Sequence, residues 1–380
     1  MKKQVAMLLI LGLGLLACVK EKMEIVMPGP GAAPQNSQGL SIYNVTTSAT
    51  SFNPSRGDKL ELRYSIPRDA RVSINIYDAD RQLVRTLAEE SPRKVGQNKE
   101  TWDGKDLDGA IVPNEAYFFC VEAVDSSDQK VVYDPITFSG GESADITQGG
   151  VSRETGTLTY KLSQPSRVLM RAGVPGSALL KTVVDWQPRV AGEITEYWNG
   201  KDEDNLIDVL NVPNYLLILS YMTLPETSVI TVGNEKYDYR AYKASLKSPR
   251  PVKAERAMTN GRKISPHFFK SRVTDRAFKV KLSFPELGTS EANDIPAVKG
   301  NLLVRVAAAE EDKDVISNQQ FEIILFVNNV FYAEEERGYL PFNFPVELAS
   351  LAPGEYVITV NVITFGDQIG IGSRKIRVVK

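Results

Sequence analysis

The chain has 380 residues, with 45 Lys and Arg against 47 Asp and Glu and a formal net charge of −2. So close a balance gives no global field to draw in nucleic acid, and the length suffices for two or three domains, each with its own core. A single histidine excludes a two-histidine zinc site and leaves one imidazole for any Ser or Cys nucleophile. No glycine loop of the phosphate-cradling kind follows a strand and opens a helix. Neither catalysis nor a cofactor is expected.

Met1-Lys2-Lys3 is a basic start, and Val5 to Ala17 is an apolar run broken only by Gly12 and Gly14. This run is shorter than the roughly 20 residues a helix needs to span a bilayer. With its basic flank and terminal small residue, it reads as an export signal over residues 1–17. Leu15-Leu16-Ala17-Cys18 resembles the lipobox of bacterial lipoproteins. The resemblance implies cleavage before Cys18, which then carries acyl chains such as palmitate on its sulfur and its new amino group. Val19 after the cysteine, in place of Asp, is similar to the pattern of Gram-negative lipoproteins released to the outer membrane. The expected location is therefore the cell envelope, with the membrane as a partner through the lipid. Residues 18–40, centred on Pro28-Gly29-Pro30-Gly31, cannot build a core and read as a tether.

A first module is expected over 41–138. Leu60, Leu62, Tyr64 and Ile66 alternate with polar residues, as do Val72, Ile74 and Ile76, and period two marks half-buried strands. Cys120 lies in the strand-like run Tyr117 to Ala123; with Cys18 committed to lipid it has no disulfide partner and reads as a buried, inert thiol. The phrase Trp102-Asp103-Gly104-Lys105-Asp106 returns 96 residues later as Trp198-Asn199-Gly200-Lys201-Asp202, and the same offset carries Tyr64 to Tyr160 and Gly96 to Gly192. This internal duplication gives a second module over 146–234, and a repeat of this length has the size of one β-sandwich. Residues 235–276 hold twelve Lys or Arg against four acids, with three prolines and no sustained apolar period; they read as a basic linker containing the one histidine, His267, either solvated or docked on an acidic surface such as anionic lipid head groups or a partner protein. A third β module is expected over 277–380, where Asn328-Asn329 suits the positive φ of a tight hairpin.

Asn53-Pro54, Tyr64-Ser65-Ile66, Tyr77-Asp78, Leu83 to Leu87, Gly96, Trp102 to Asp106, Gly109, Pro113 and Tyr117 together resemble the immunoglobulin-like domain of the flagellar hook-capping protein family. Arg81 departs from that pattern, which has Gly there, and the second module loses the Tyr-Asp and Asp-Gly pairs. Leu340-Pro341-Phe342 and Leu351 to Tyr356 more loosely resemble bacterial Ig-like adhesion modules. These resemblances imply an all-β chain of tandem immunoglobulin-like β-sandwiches, acting as a structural and assembly module and not as an enzyme.

The individual motifs fit that picture. Trp102 and Trp198 read as core pins, since an indole buries a large apolar area while its N–H finds a carbonyl. Asp103, Asp106 and Asp108 before Gly109 form a weak calcium alternative, because alternate oxygen ligands suit that cation, although the terminal Glu of a calcium loop is missing. Arg56-Gly57-Asp58 reads as a chance tripeptide, and Glu310-Glu311-Asp312 and Glu334-Glu335-Glu336 as solvated acidic runs. The expected function is a membrane-anchored envelope lipoprotein with a protein partner. The rival expectation is a glycan-binding envelope protein, for which Tyr237, Tyr239 and Tyr242 are the one aromatic cluster outside the expected strands.

Overall fold

A computed structural model describes residues 39–146, 150–235, 238–253, 261–287 and 295–380. The export signal, Cys18, the tether up to residue 38 and Tyr237 lie outside the described residues. Among those described, no helix is long and apolar enough to cross a membrane.

The period-two segments are strands, and they pack face to face. In the first sandwich one sheet runs Tyr43–Thr47, Leu60–Ile66, Gly96–Trp102. The other runs Ser51–Phe52, Val229–Thr231, Ala116–Asp125, Ala70–Tyr77, Leu83–Arg93, with Lys130–Tyr133 beside Ala116–Asp125. Leu60, Leu62, Tyr64, Val72, Ile74 and Ile76 all point into one core. At its centre Trp102 meets Phe52, Tyr117 and Phe119 edge to face at 5.4, 5.3 and 6.3 Å. The second sandwich repeats the plan, with Gly150–Ser152, Thr157–Leu162 and Gly192–Tyr197 facing Leu179–Arg189, Ser166–Gly173, Leu216–Thr223 and Ser143–Ile146. Trp198 lies in its core.

The duplication extends to backbone geometry. Glu90 and Trp186, 96 residues apart, both take positive φ (38° and 46°) in the bulged strands Leu83–Arg93 and Leu179–Arg189. Gly109 (φ 79°) becomes Asn205 (φ 60°), a substitution allowed because Asn tolerates the left-handed region. Arg81, where the family pattern has Gly, is itself left-handed at φ 60°. Two ion pairs are likewise repeated: Arg93 reaches Glu100 at 2.5 Å and Arg189 reaches Glu196 at 2.7 Å. Each lies beside its tyrosine; Tyr160 donates its hydroxyl to Glu196 at 2.9 Å, and burial pushes the Tyr64 phenol up to about 12.

Two expectations are corrected. Val229–Thr231, assigned to the second module, completes the first: it pairs antiparallel with Ala116–Tyr117 and parallel with Ser51–Phe52, and Val229 enters the first core. A three-residue strand carries too little pattern to declare its sheet. The basic linker is also not solvated. Its described parts form a strap that includes the helix Tyr239–Ser245, bridges through Val252 and Ile264 to the sandwiches, and buries Tyr242, Arg250, His267 and Asp275. Its cations found carboxylates on the sandwich surfaces.

In the third sandwich the strand order is Val330–Glu335, Phe321–Val327, Gly354–Thr364, Ile369–Val378, Phe278–Ser283, Asn301–Ala308, Phe342–Glu347. Phe278–Ser283 joins the two layers, pairing first with Ile369–Val378 and then with Asn301–Ala308. Asn328 and Asn329 turn the hairpin at φ 48° and 63°. This sandwich sits directly on the second: the Asn361 side chain exchanges two 2.8 Å hydrogen bonds with the Leu179 backbone, and Phe326 enters the second core. The described residues thus belong to one unit.

If Trp102 is the pin of the first core, Trp102→Ala lowers stability by about 3–5 kcal/mol. The urea midpoint of the purified protein checks this; a shift under about 1 kcal/mol would remove the indole from the centre of the argument.

Candidate interaction site

The repeated turn is built from the tryptophan outward. Trp102 Nε1 donates to Lys105 O at 2.9 Å and Trp198 Nε1 to Lys201 O at 2.8 Å, so each indole satisfies its polar atom on the turn it supports. Asp103 Oδ1 accepts from Lys105 N at 3.1 Å, and Asn199 repeats this contact at 3.0 Å. Gly104 is required twice over: φ is 72°, and a Cβ there would fall 2.3 Å from Pro54 Cβ. Asp106 then folds the next stretch around its carboxylate, with Oδ1 accepting from Asp108 N and Ala110 N, both at 2.9 Å. In the copy, Asp202 Oδ1 accepts from Leu206 N and Ile207 N at 2.6 and 2.8 Å, four and five residues ahead where Asp106 reaches two and four.

What each turn presents to the rest of the molecule differs. In the first, Asp106 Oδ2 accepts from the Tyr242 hydroxyl at 2.9 Å and from Arg250 Nη2 at 2.8 Å, and the same nitrogen reaches Asp108 at 2.8 Å. The position between Asp106 and Asp108, which the weak calcium alternative gave to an ion, is held by the guanidinium. Asp103 turns instead to its own loop, so the three carboxylates do not converge, and no metal-competent group of three His, Cys, Asp or Glu occurs among the described residues. In the second turn Asp202 is buried, and burial raises its pKa. Beside it Asp204 Oδ2 accepts from Ser373 N at 2.6 Å. The first turn is thus engaged by the strap and its copy by the third sandwich.

The strap continues this pairing along its length. Lys243 lies 2.7 Å from Asp78 and 3.6 Å from Asp80, at the turn preceding Leu83–Arg93. Pro251 O accepts from Leu83 N at 2.8 Å and Lys253 N donates to Arg81 O at 2.9 Å, so a short stretch of strap hydrogen-bonds along the sandwich while the Lys253 ammonium meets Asp134. Asp134 also accepts from Cys120 Sγ at 3.4 Å; burial first, and this carboxylate second, push that thiol well above its ordinary value and leave it inert. Further on, Arg262 pairs with Glu142 at 2.7 Å, and Arg276 with Asp312 at 2.7 Å and Asp314 at 3.3 Å. Arg240 approaches the same two acids at 3.5 and 3.3 Å, so the run around Asp312 is only partly solvated.

His267 occupies the junction of the strap with the second and third sandwiches. Its ring packs 4.6 Å from Trp186, Nδ1 lies 2.9 Å from Asp275 Oδ2, and Nε2 lies 3.7 Å from Asp367. Gln368 Nε2 donates to the other Asp275 oxygen at 2.6 Å. The expected solvated histidine is therefore a buried one. Burial disfavours its charge, but Asp275 and Asp367 prevail and its pKa lies above the usual 6.5. Nearby Arg167 reaches Glu115 at 2.7 Å with both side chains buried.

The tyrosines proposed as a glycan platform are placed differently. Tyr242 is buried on Asp106, and Tyr239 lies 5.2 Å beneath the Lys243 ammonium. Arg56-Gly57-Asp58 closes a short helical turn, with Asp58 accepting from Asn53 N at 3.1 Å. Arg250, Lys243 and Glu115 were absent from the candidate residues. The signal that marked Arg250 was the prolines on both sides of it, which favour an extended backbone, within a basic excess in a chain with Asp-rich turns.

Fold and turn together define a protein of immunoglobulin-like β-sandwich modules. Residues 48–127 match the family model described as FlgD Ig-like domain. The basal-body rod modification protein FlgD of Salmonella typhimurium is 34% identical over 88 residues, 23% of this chain and 34% of that protein. The chain thus spans about a third of the length of the curated relatives it matches. Among solved structures, FlgD from P. aeruginosa shares 21% identity over 26% of this chain and 73% of that chain, with a TM-score of 0.20. The fibronectin(III)-like modules of Clostridium thermocellum CbhA share 9% over 89% and 92%, with a TM-score of 0.18.

Removing Arg250 strands a buried carboxylate, so Arg250→Ala costs about 3–5 kcal/mol. Adding Asp106→Asn recovers part of that loss, with a coupling of about 1–3 kcal/mol in a double-mutant cycle; strict additivity would mean that the pair does not act as one unit. For His267 the folded pKa is raised, so its contribution is complete below about pH 6.5 and is lost as pH rises through the folded value. Urea midpoints across that range fall for the wild type more than for His267→Gln. The imidazole resonances of this one histidine, followed by NMR, report the folded pKa directly.

Proposed function

We propose that the protein is a cell-envelope lipoprotein whose acylated Cys18 tethers an ordered stack of immunoglobulin-like modules, and that the stack is a structural and protein-interaction element. The observation that carries this reading is the FlgD-type module at residues 48–127 built into a unit where strap and sandwiches are joined by buried charge pairs. Leu40 is buried in the first core, which makes it the upper end of the tether. From Cys18 to that point the chain reaches at most roughly 80 Å when fully extended. Two or more acyl chains hold a protein stably at a membrane, whereas one does not, so the sandwiches need supply no membrane contact of their own. The outer membrane of a Gram-negative cell is the location that Val19 favours.

Expression of the wild type and of Cys18→Ser in a Gram-negative host tests the anchor. The wild type is recovered with membranes and its mature N-terminus carries lipid by mass spectrometry, while the variant is released. A variant that stays membrane-bound with its signal removed, or a wild type without lipid, refutes the reading. Cross-linking and recovery from native membranes then identify the envelope protein bound.

A further inference from the structure

Three acidic pairs are met by the chain's own cations: Asp78 and Asp80 by Lys243, Asp106 and Asp108 by Arg250, Asp312 and Asp314 by Arg276. An acidic group on the third sandwich is treated differently. Val330–Glu335 is the edge strand of the third sandwich; it pairs with Phe321–Val327 on one side and with no strand on the other among the described residues. Its acidic end continues into Glu336, and Glu322 lies on the neighbouring strand. Burial first, and then the charges of Glu334 and Glu336, raise the pKa of Glu322, and no cation pairs with these three acids among the described residues. The other end of the strand is apolar and open to solvent: Val330 is 68% exposed and Phe331 53%, with Tyr339, in the loop that follows, at 64%. Tyr332 bulges across to the opposite layer, where its hydroxyl accepts from Glu347 N at 2.7 Å, and this pins the strand in place.

We propose that the Val330–Glu336 edge receives an extended, basic segment of another polypeptide, which adds a strand alongside Val330–Glu335, sets apolar side chains against Val330 and Phe331, and brings Lys or Arg to Glu334 and Glu336. The strap is the precedent within the same chain. Around Pro251 it hydrogen-bonds along a sandwich through Leu83 N and Arg81 O while Arg250 and Lys253 meet acids on either side. Strand addition draws affinity from main-chain bonds and specificity from alternate side chains. Charge selects the occupant: a second copy brings no cation to these acids, since antiparallel pairing would set them against Val330 and Phe331, and parallel pairing against their own equivalents, where like charges are destabilising.

This rests on the reading of the protein as an interaction element, and its test is independent of the anchor, since Cys18→Ser does not touch this edge. The full chain in detergent is titrated by fluorescence polarisation with an acetylated, labelled Lys-Val repeat octapeptide, its Glu-Val counterpart, and the Lys-Val peptide N-methylated at alternate residues. The Lys-Val peptide binds, the Glu-Val peptide does not, and N-methylation weakens binding at least tenfold. Glu334→Lys with Glu336→Lys, both at solvent-facing ends, weakens it at least tenfold with an unchanged circular dichroism spectrum, and Phe331→Ser does the same where it folds. Unchanged binding in the charge variant, or equal binding of the N-methylated peptide, overturns the proposal. So does a concentration-dependent dimer by light scattering that Phe331→Ser abolishes, which would give the edge to a second copy.

Discussion

Two carboxylates on the first repeated turn, Asp106 and Asp108, share one guanidinium that arrives from more than 140 residues downstream. Taking Asp106 and Arg250 out of water is costly, with Asp108 remaining at the solvent edge, and such a buried pair is tolerated only when lone pairs and N–H groups are matched. Here they are. Asp106 accepts two backbone N–H groups on one oxygen and a tyrosine hydroxyl and the guanidinium on the other, while Arg250 extends towards Val84 O. A group so fully engaged has one geometry, and the strap is held where it puts Lys243 on Asp78 and Lys253 on Asp134.

The two copies of the turn show how a duplicated surface acquires separate roles. The tryptophan, its indole bond and the glycine that follows are retained, because they belong to the fold of the turn itself. The outward-facing atoms are free to diverge. One turn gained a basic partner from the strap; the other lost Asp103 and Gly109 to Asn and came to lie against the third sandwich. Neither Asn disturbs the turn, since one repeats the side-chain acceptor and the other takes the same left-handed backbone.

Much of this was legible in the residues. Period-two alternation marked the strands that supply the first two cores, the 96-residue offset marked the duplication, and Trp102 and Trp198 lie where an amphipathic indole followed by a turn belongs. The strap was not, because periodicity reports burial against a continuous face and its buried groups are single polar side chains whose partners sit far away in sequence. Arg250 and His267 look like solvent-facing residues until Asp106 and Asp275 are brought to them. The calcium alternative failed for a related reason: spacing located the acids, but could not show that a cation was already present in the chain.

The short strand Val229–Thr231 bears on the order in which the molecule is made. Its partners are Ala116 and Tyr117, so synthesis passes the end of Ala116–Asp125 about 100 residues before the missing neighbour appears. At typical translation speeds that is an interval of roughly 5–20 s. During it, all the strands of the second sandwich, which lie between Ser143 and Thr223, have been produced and can close among themselves. Of the two repeated modules, the one that begins first is therefore finished second, and the returning segment delivers the strap to a surface completed only at that moment.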